Sequence, residues 1–191
     1  MEIRIKSGFT LIEVILVVGI VIVIASITLA NFPEFNERIG IEQEAGKFVL
    51  AARKAQSYAL GVREFQIGSK IFPPYGVSAT INDRIHFTVF GDTNLSNRFE
   101  NFLGESVEVF TVSPRVEIHE ICGNYQSIPP GPCNLTTADI VYIRPAPSIV
   151  LTGVVGGIPL SYNDIKVVFT TLDGSIRKDV VIWSTGQISI E

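Results

Sequence analysis

The sequence predicts an α+β protein in which one long N-terminal helix packs on antiparallel β-sheets. Three observations lead to this fold class. Residues 14–32 contain no charged residue, residues 34–60 contain few helix breakers and keep apolar side chains on one face, and from residue 65 onward short stretches rich in Val, Ile, Phe and Thr alternate with turn residues. Since no second long helical pattern follows, a helix laid across antiparallel sheets is the simplest two-layer arrangement.

The first element is the apolar run, which follows a short leader that contains Arg4 and Lys6. A helix of about twenty residues, at ~1.5 Å per residue, is long enough to cross a hydrocarbon core of ~30 Å. The run exceeds the ~7–15 residues of a secretory signal peptide and lacks an Ala-x-Ala cleavage site, Thr28-Leu29-Ala30 being the nearest match. A plain membrane anchor explains neither Gly8 nor Glu13, an acid inside the apolar run that should have a partner.

A third interpretation comes from resemblance. The run Gly8-Phe9-Thr10-Leu11-Ile12-Glu13 resembles the prepilin motif of type IV pilins and type II secretion pseudopilins. The resemblance implies that a prepilin peptidase cuts between Gly8 and Phe9 and that Phe9 is then N-methylated. It also implies that Glu13, at the fifth mature position, is an assembly residue that pairs with the new amine. Residues 1–8 would be the leader peptide, and residues 9–32 a transmembrane helix that becomes the filament core.

The second half of the helix is predicted to be amphipathic, over residues 33–62. Pro33 predicts a kink, and Gly61 is a plausible C-terminal cap, so the whole helix should extend from about Phe9 to about Leu60. Its apolar residues recur at the spacing of a helix that packs on a sheet. They are Ile41, Ala45, Phe48, Ala52, Ala55 and Ala59.

The remaining residues, 63–191, are predicted to form a β-rich extracytoplasmic domain. Asp173-Gly174 and Thr185-Gly186 are hairpin signals, whereas Gly153 to Gly157 indicates a flexible turn. Ten segments have strand composition. They are Glu64–Ile67, Gly76–Ile81, Ile85–Phe90, Val107–Val112, Val116–Ile121, Ile140–Arg144, Ser148–Leu151, Ile165–Thr170, Ser175–Ile182 and Gln187–Ile190.

Two further stretches refine the resemblance. Residues 51–61 are similar to the end of the long helix in the GspH/FimT family of minor pseudopilins and minor pilins, and residues 180–189 are similar to the family's final hairpin. The resemblance implies a non-enzymatic structural subunit of a type IV pilus or a type II secretion pseudopilus. Its implied partners are other pilin or pseudopilin subunits, the prepilin peptidase and the inner-membrane assembly platform. The chain would be a single-pass cytoplasmic membrane protein before it joins an extracytoplasmic filament.

The two cysteines, Cys122 and Cys133, are predicted to form a disulfide if the domain lies outside the cytoplasm, where disulfides persist. Free thiols are the main alternative. A metal site is less favoured, because two thiols with no adjacent histidine fall short of four ligands.

One loop resembles the start of a calcium-binding loop, with oxygen-bearing side chains at Asp92, Asn94 and Ser96. However, position six is Asn97 instead of glycine and position twelve is Leu103 instead of glutamate. We therefore favour a polar turn, keep calcium as a weak possibility, and expect no other metal or cofactor.

The net charge argues against DNA binding, and the lack of catalytic motifs argues against an enzyme. The net charge is −4, and loss of the leader, whose Glu2, Arg4 and Lys6 sum to +1, would leave −5 on the mature side chains. A phosphate-binding surface needs clustered cations, so a DNA-capturing minor pilin is a disfavoured alternative. A membrane-anchored domain of another function is a second alternative. We expect no catalytic residues, because His86 and His119 stand apart from any nucleophile motif and resemble solvated strand residues.

Overall fold

The computed structural model describes residues 10–126, 130–144 and 148–191, with backbone but not side chains for residues 30–34. The chain divides into two compact units, residues 1–37 and 38–191. Helix α1 spans Leu11–Leu60, close to the predicted extent. The kink expected at Pro33 falls on residues 30–34 and stays a prediction.

Helix α1 ends differently from the prediction at Gly61. The Gly61 N–H still donates to the Ser57 carbonyl at 2.8 Å, and the left-handed conformation falls on Val62, with φ of 51°. The N–H of Arg63 then donates to the Tyr58 carbonyl at 3.1 Å. This six-to-one bond is the Schellman ending, with an unusual β-branched residue at the position that glycine usually takes.

The β-structure forms two antiparallel sheets. The six-stranded sheet has the order β3-β2-β1-β5-β6-β7, and the four-stranded sheet has the order β10-β9-β8-β4. The strands are β1 (Tyr75–Thr80), β2 (Asp83–Gly91), β3 (Ser106–Thr111), β4 (Val116–Gly123), β5 (Thr137–Ile143), β6 (Ser148–Val155), β7 (Ile158–Tyr162), β8 (Asp164–Thr171), β9 (Arg177–Trp183) and β10 (Ile188–Ile190). The α+β class is therefore confirmed, and both predicted hairpins join neighbouring strands.

One strand prediction is wrong, for a local reason. Residues 64–67 form part of a tight loop, in which the Phe65 N–H donates to the Ile71 carbonyl at 2.9 Å and Gly68 and Lys70 have positive φ. The stretch Gly153 to Gly157, predicted as a flexible turn, is one only in part, because its first three residues belong to β6. Its last two glycines, with φ of 57° and 84°, form a hairpin turn between β6 and β7. Pro159 is compatible with β7 because that strand lies at a sheet edge.

The core of the second unit lies between the amphipathic half of α1 and both sheets. All six residues predicted for the apolar face of the helix are buried. The Phe48 ring lies 5.2 Å from the ring of Phe87 on β2 and 5.8 Å from that of Phe169 on β8. The remaining buried positions of the face are mostly alanines, which allow the helix backbone to approach closely.

Candidate functional site

The N-terminal part of α1 presents an uncovered apolar surface. Residues Leu11–Leu29 are long and apolar enough to cross a membrane. Every Leu, Ile and Val in this span is more than half exposed, from 51% at Val18 to 78% at Leu11. A helix that is apolar on all sides is typical of a membrane span or of a helix buried among others, and a signal sequence near an N-terminus has the same length and composition.

The two hydroxyl side chains of this segment fit such an environment. Ser26 Oγ donates to the Ile22 carbonyl at 2.8 Å, and Thr28 Oγ1 donates to the Ile24 carbonyl at 2.9 Å. Each hydroxyl is thus satisfied within the helix itself. A polar group that makes its hydrogen bond internally costs little when water is absent.

Thr10 caps the start of the helix, a role that the sequence analysis missed. Its Oγ1 accepts a hydrogen bond from the Glu13 N–H at 3.4 Å, and its carbonyl accepts from the same N–H at 3.1 Å. Thr10-Leu11-Ile12-Glu13 has the Thr-x-x-Glu spacing of a capping box, which is a readable signal. Glu13 is exposed in the first helical turn, where a negative charge is stabilised by the helix dipole.

The two residues predicted to be processed are not among those that the structure describes. Gly8 and Phe9 lie outside the described residues, so cleavage and N-methylation stay predictions. Of the residues predicted for processing and assembly, Glu13 is the one that the structure describes, and its role in assembly stays a prediction.

The calcium candidate is arranged around N–H donors. Asp92 is fully buried, its Oδ1 accepts from the Ser96 N–H at 2.9 Å and its Oδ2 accepts from the Asn97 N–H at 2.8 Å. Asn94 Oδ1 accepts from the same Ser96 N–H at 3.0 Å. Burial raises the pKa of Asp92 in spite of these hydrogen bonds. Since the oxygens already face N–H groups, the geometry favours the polar turn over a cation site.

Cys122 and Cys133 form a disulfide, the pair predicted from the sequence. Cys122 is buried in β4, and backbone hydrogen bonds close the loop on either side, from Gly123 N–H to the Pro132 carbonyl and from Gly131 N–H to the Asn124 carbonyl. Glu120 and the two cysteines are the cluster of possible metal ligands found among the described residues. Because both sulfurs are bonded to each other, the cluster offers no thiolate.

We expect the disulfide to stabilise the second unit without being essential for its fold. Combining Cys122→Ala with Cys133→Ser should lower the free energy of unfolding by ~2–3 kcal/mol, because the bridge closes a short loop. Urea denaturation of the full chain in detergent micelles measures this difference. Reduced wild-type protein is the matched control and should show the same loss. An unchanged midpoint in both samples would contradict the prediction.

The two histidines each lie beside a carboxylate of their own strand. His86 Nδ1 is 2.9 Å from both carboxylate oxygens of Asp83, and the exposed His119 Nδ1 is 3.4 Å from Glu117 Oε1. These are strand pairs at the surface, as expected for solvated residues. His86 lines one surface pocket and His119 lines another.

Comparisons of the chain with protein-family models, curated proteins and solved structures found no match. A function must therefore be argued from the motif and from the chemistry of the described residues.

Proposed function

We propose that the protein is a minor pilin or pseudopilin, a non-enzymatic subunit of a type IV pilus or a type II secretion pseudopilus. The observation that carries the proposal is the uncovered apolar segment Leu11–Leu29, with an acid in its first turn and a globular unit after it. An ordinary anchor needs the apolar segment alone. A filament subunit also needs a charged group that sets the register of its helix among the others.

The assembly mechanism follows from the chemistry of that segment. Removal of residues 1–8 leaves a cationic amine at Phe9, four residues before Glu13 in a chain that is helical from Leu11. In a filament, the apolar side chains of Leu11–Leu29 are buried against neighbouring helices, which supplies the free energy of association. The Glu13 carboxylate pairs with an amine of its own or a neighbouring chain, because either charge alone would be costly in that core.

Two features support the finer assignment to a GspH/FimT-like subunit. Residues 51–61 contain the last turns of α1, which pack on the sheets. Residues 180–189 form the hairpin of β9 and β10, whose turn contains Gly186 with φ of 91°. Both are the stretches that resemble the family. The partners on this proposal are other subunits, the prepilin peptidase and the inner-membrane assembly platform.

DNA capture is the second candidate function, and the acidic net charge of −4 disfavours it. An electrophoretic mobility shift with the purified chain tests it directly. We expect no shift of duplex DNA at low salt, whereas a salt-sensitive shift would favour the competence role.

Processing tests the proposal at its first step. When the chain is produced in membranes together with an active prepilin peptidase, intact-mass analysis should show a protein that starts at Phe9, with one added methyl group. Gly8→Ala should still be cut, whereas a bulky residue at the same position should block the cut, since the residue before the bond must be small. Retention of residues 1–8 in the wild-type chain would contradict the proposal.

A further inference from the structure

The loop between β2 and β3, residues 92–105, donates backbone hydrogen bonds to buried carboxylates. Glu105 is fully buried, and it accepts hydrogen bonds from the N–H groups of Thr93 at 2.9 Å and Glu100 at 3.0 Å. Asp92 accepts from two further N–H groups of the same loop. A third acid, Asp139 on β5, lies near the Phe99 N–H, which favours the charged form of its carboxyl group and acts to lower its pKa. Two buried carboxylates, those of Glu105 and Asp92, therefore accept four backbone N–H groups of the loop.

Asp139 differs from the other two acids because it is incompletely paired. Its side chain is 3% exposed, and Oδ1 has no hydrogen-bond partner among the described residues. The adjacent strands place uncharged Ser78 of β1 and Thr152 of β6 opposite it. Among the charged groups, Arg98 and Asp92 face it from the loop. Arg98 Nε is itself buried, with no partner in the described part of the chain.

Burial raises the pKa of Asp139 to about 7, and the nearby Asp92 adds to this shift. The Ser78 hydroxyl, the Phe99 N–H and Arg98 oppose it by favouring the charged form. The unfolded chain releases this proton near the ordinary aspartate pKa of ~3.9. The contribution of Asp139 to stability is therefore full below that pKa, declines as the pH rises towards 7, and is constant above it.

We propose that the loop Asp92–Glu105 is a pH-controlled cover on the outer face of the six-stranded sheet, switched by a proton on Asp139. With the proton bound, the loop has the arrangement described here. When the proton leaves to solvent, the carboxylate needs a charge partner, and the unpaired Nε–H of Arg98 is the donor at hand. Formation of the Asp139–Arg98 ion pair shifts the loop segment that contains Arg98 and Phe99.

The consequence of the switch is a change in a groove beside the loop. This groove has a volume of about 380 Å³ and lies over β1 and β2, where Ser78, Thr80 and Thr88 supply hydroxyl groups. Phe99 and Asn101 of the loop form one wall. A shift of this wall changes access to the hydroxyl groups around neutral pH. The switch lies within the second unit and does not depend on filament assembly.

Hydrogen exchange of the full chain in detergent micelles tests this switch. Exchange is compared at about pH 5.5 and about pH 8.5, after correction for intrinsic rates, on peptides that cover residues 93–104. Wild-type protein should lose roughly tenfold protection around residues 98–101 at the higher pH. Asp139→Asn, which cannot ionise, should show the same protection at both. Asp173→Asn, which removes an exposed turn carboxylate, is the matched control and should behave like wild type.

A second variant keeps the test decisive if Asp139→Asn does not fold. Arg98→Leu removes the partner of the ionised form, so the pH midpoint of the loss in protection should move upward. Protection of the wild-type loop that does not change with pH would overturn the proposal. The same is true of an unchanged midpoint in Arg98→Leu, or a pH response that persists in Asp139→Asn.

Discussion

Phe48→Ala should lower the free energy of unfolding of the second unit by ~3–5 kcal/mol, the usual cost of emptying a large buried aromatic site. Phe48 is fully buried on the helix and contacts one aromatic ring from each sheet, Phe87 and Phe169. Its removal leaves a cavity where helix and both sheets meet, and the rigid strands on either side can close it only in part. Since whole domains are stable by only ~5–15 kcal/mol, the variant should be near the limit of folding.

Urea denaturation in detergent micelles, followed through the half-buried Trp183, measures this loss. Leu50→Ala is the matched control on the same helix, because Leu50 is 69% exposed. That control should change stability by less than ~0.5 kcal/mol. Equal losses in the two variants would mean that Phe48 does not join the two sheets in the way described.

The second large effect concerns assembly. Glu13→Val should leave membrane insertion and processing intact but strongly reduce incorporation into fibres, since a buried amine loses its partner at a cost of ~3–5 kcal/mol. In a simple membrane anchor the acid only adds to the free-energy cost of insertion, so Glu13→Val should be neutral or should improve insertion. The measurement is the amount of variant that co-purifies with sheared fibres, relative to its amount in membranes.

Because Glu13 lies at the third position after the capping residue Thr10, a second variant of Glu13 is needed to separate charge pairing from helix capping. Glu13→Gln keeps a side chain that fits a capping box but removes the charge. If charge pairing drives assembly, Glu13→Gln should be as defective as Glu13→Val. Thr10→Ala, which removes the cap hydroxyl and keeps the acid, should be incorporated nearly as well as wild type. If Thr10→Ala is incorporated poorly and Glu13→Gln is incorporated well, Glu13 acts in helix capping and has no part in the assembly mechanism.

Several parts of the fold were predictable because local pattern and tertiary structure agree. The alanine-rich face from Ile41 to Ala59 repeats with helical spacing, and its burial follows directly. The turns at Asp173-Gly174 and Thr185-Gly186 contain glycines with positive φ, which a hairpin requires.

Other parts depend on contacts between residues distant in sequence. Strand β7 was missed because Pro159 argues against a strand unless its edge position is known. By contrast, the strand predicted at residues 64–67 is a loop for a local reason, since the Glu64 carboxylate accepts the N–H of Lys70 and closes the turn.

The buried acids were the least predictable part of the chain. Asp139 lies in the strand sequence Thr137-Ala138-Asp139-Ile140, and nothing in that pattern indicates an acid that is 3% exposed. Its burial involves a loop, residues 92–105, that ends more than thirty residues earlier in the chain. By contrast, the Thr-x-x-Glu spacing at Thr10 and Glu13, which is typical of a helix start, is readable from the sequence alone.

The most direct test of filament assembly is the composition of sheared surface fibres from cells that produce the chain together with its assembly machinery. Mass spectrometry of washed fibres should detect this chain, with an N-terminal peptide that begins at N-methylated Phe9 and an intact Cys122–Cys133 bridge. A strain without the prepilin peptidase is the control, and its chain should stay in the membrane fraction with residues 1–8 attached. Fibres that lack the chain, while processed protein accumulates in membranes, would contradict the assignment to a filament subunit.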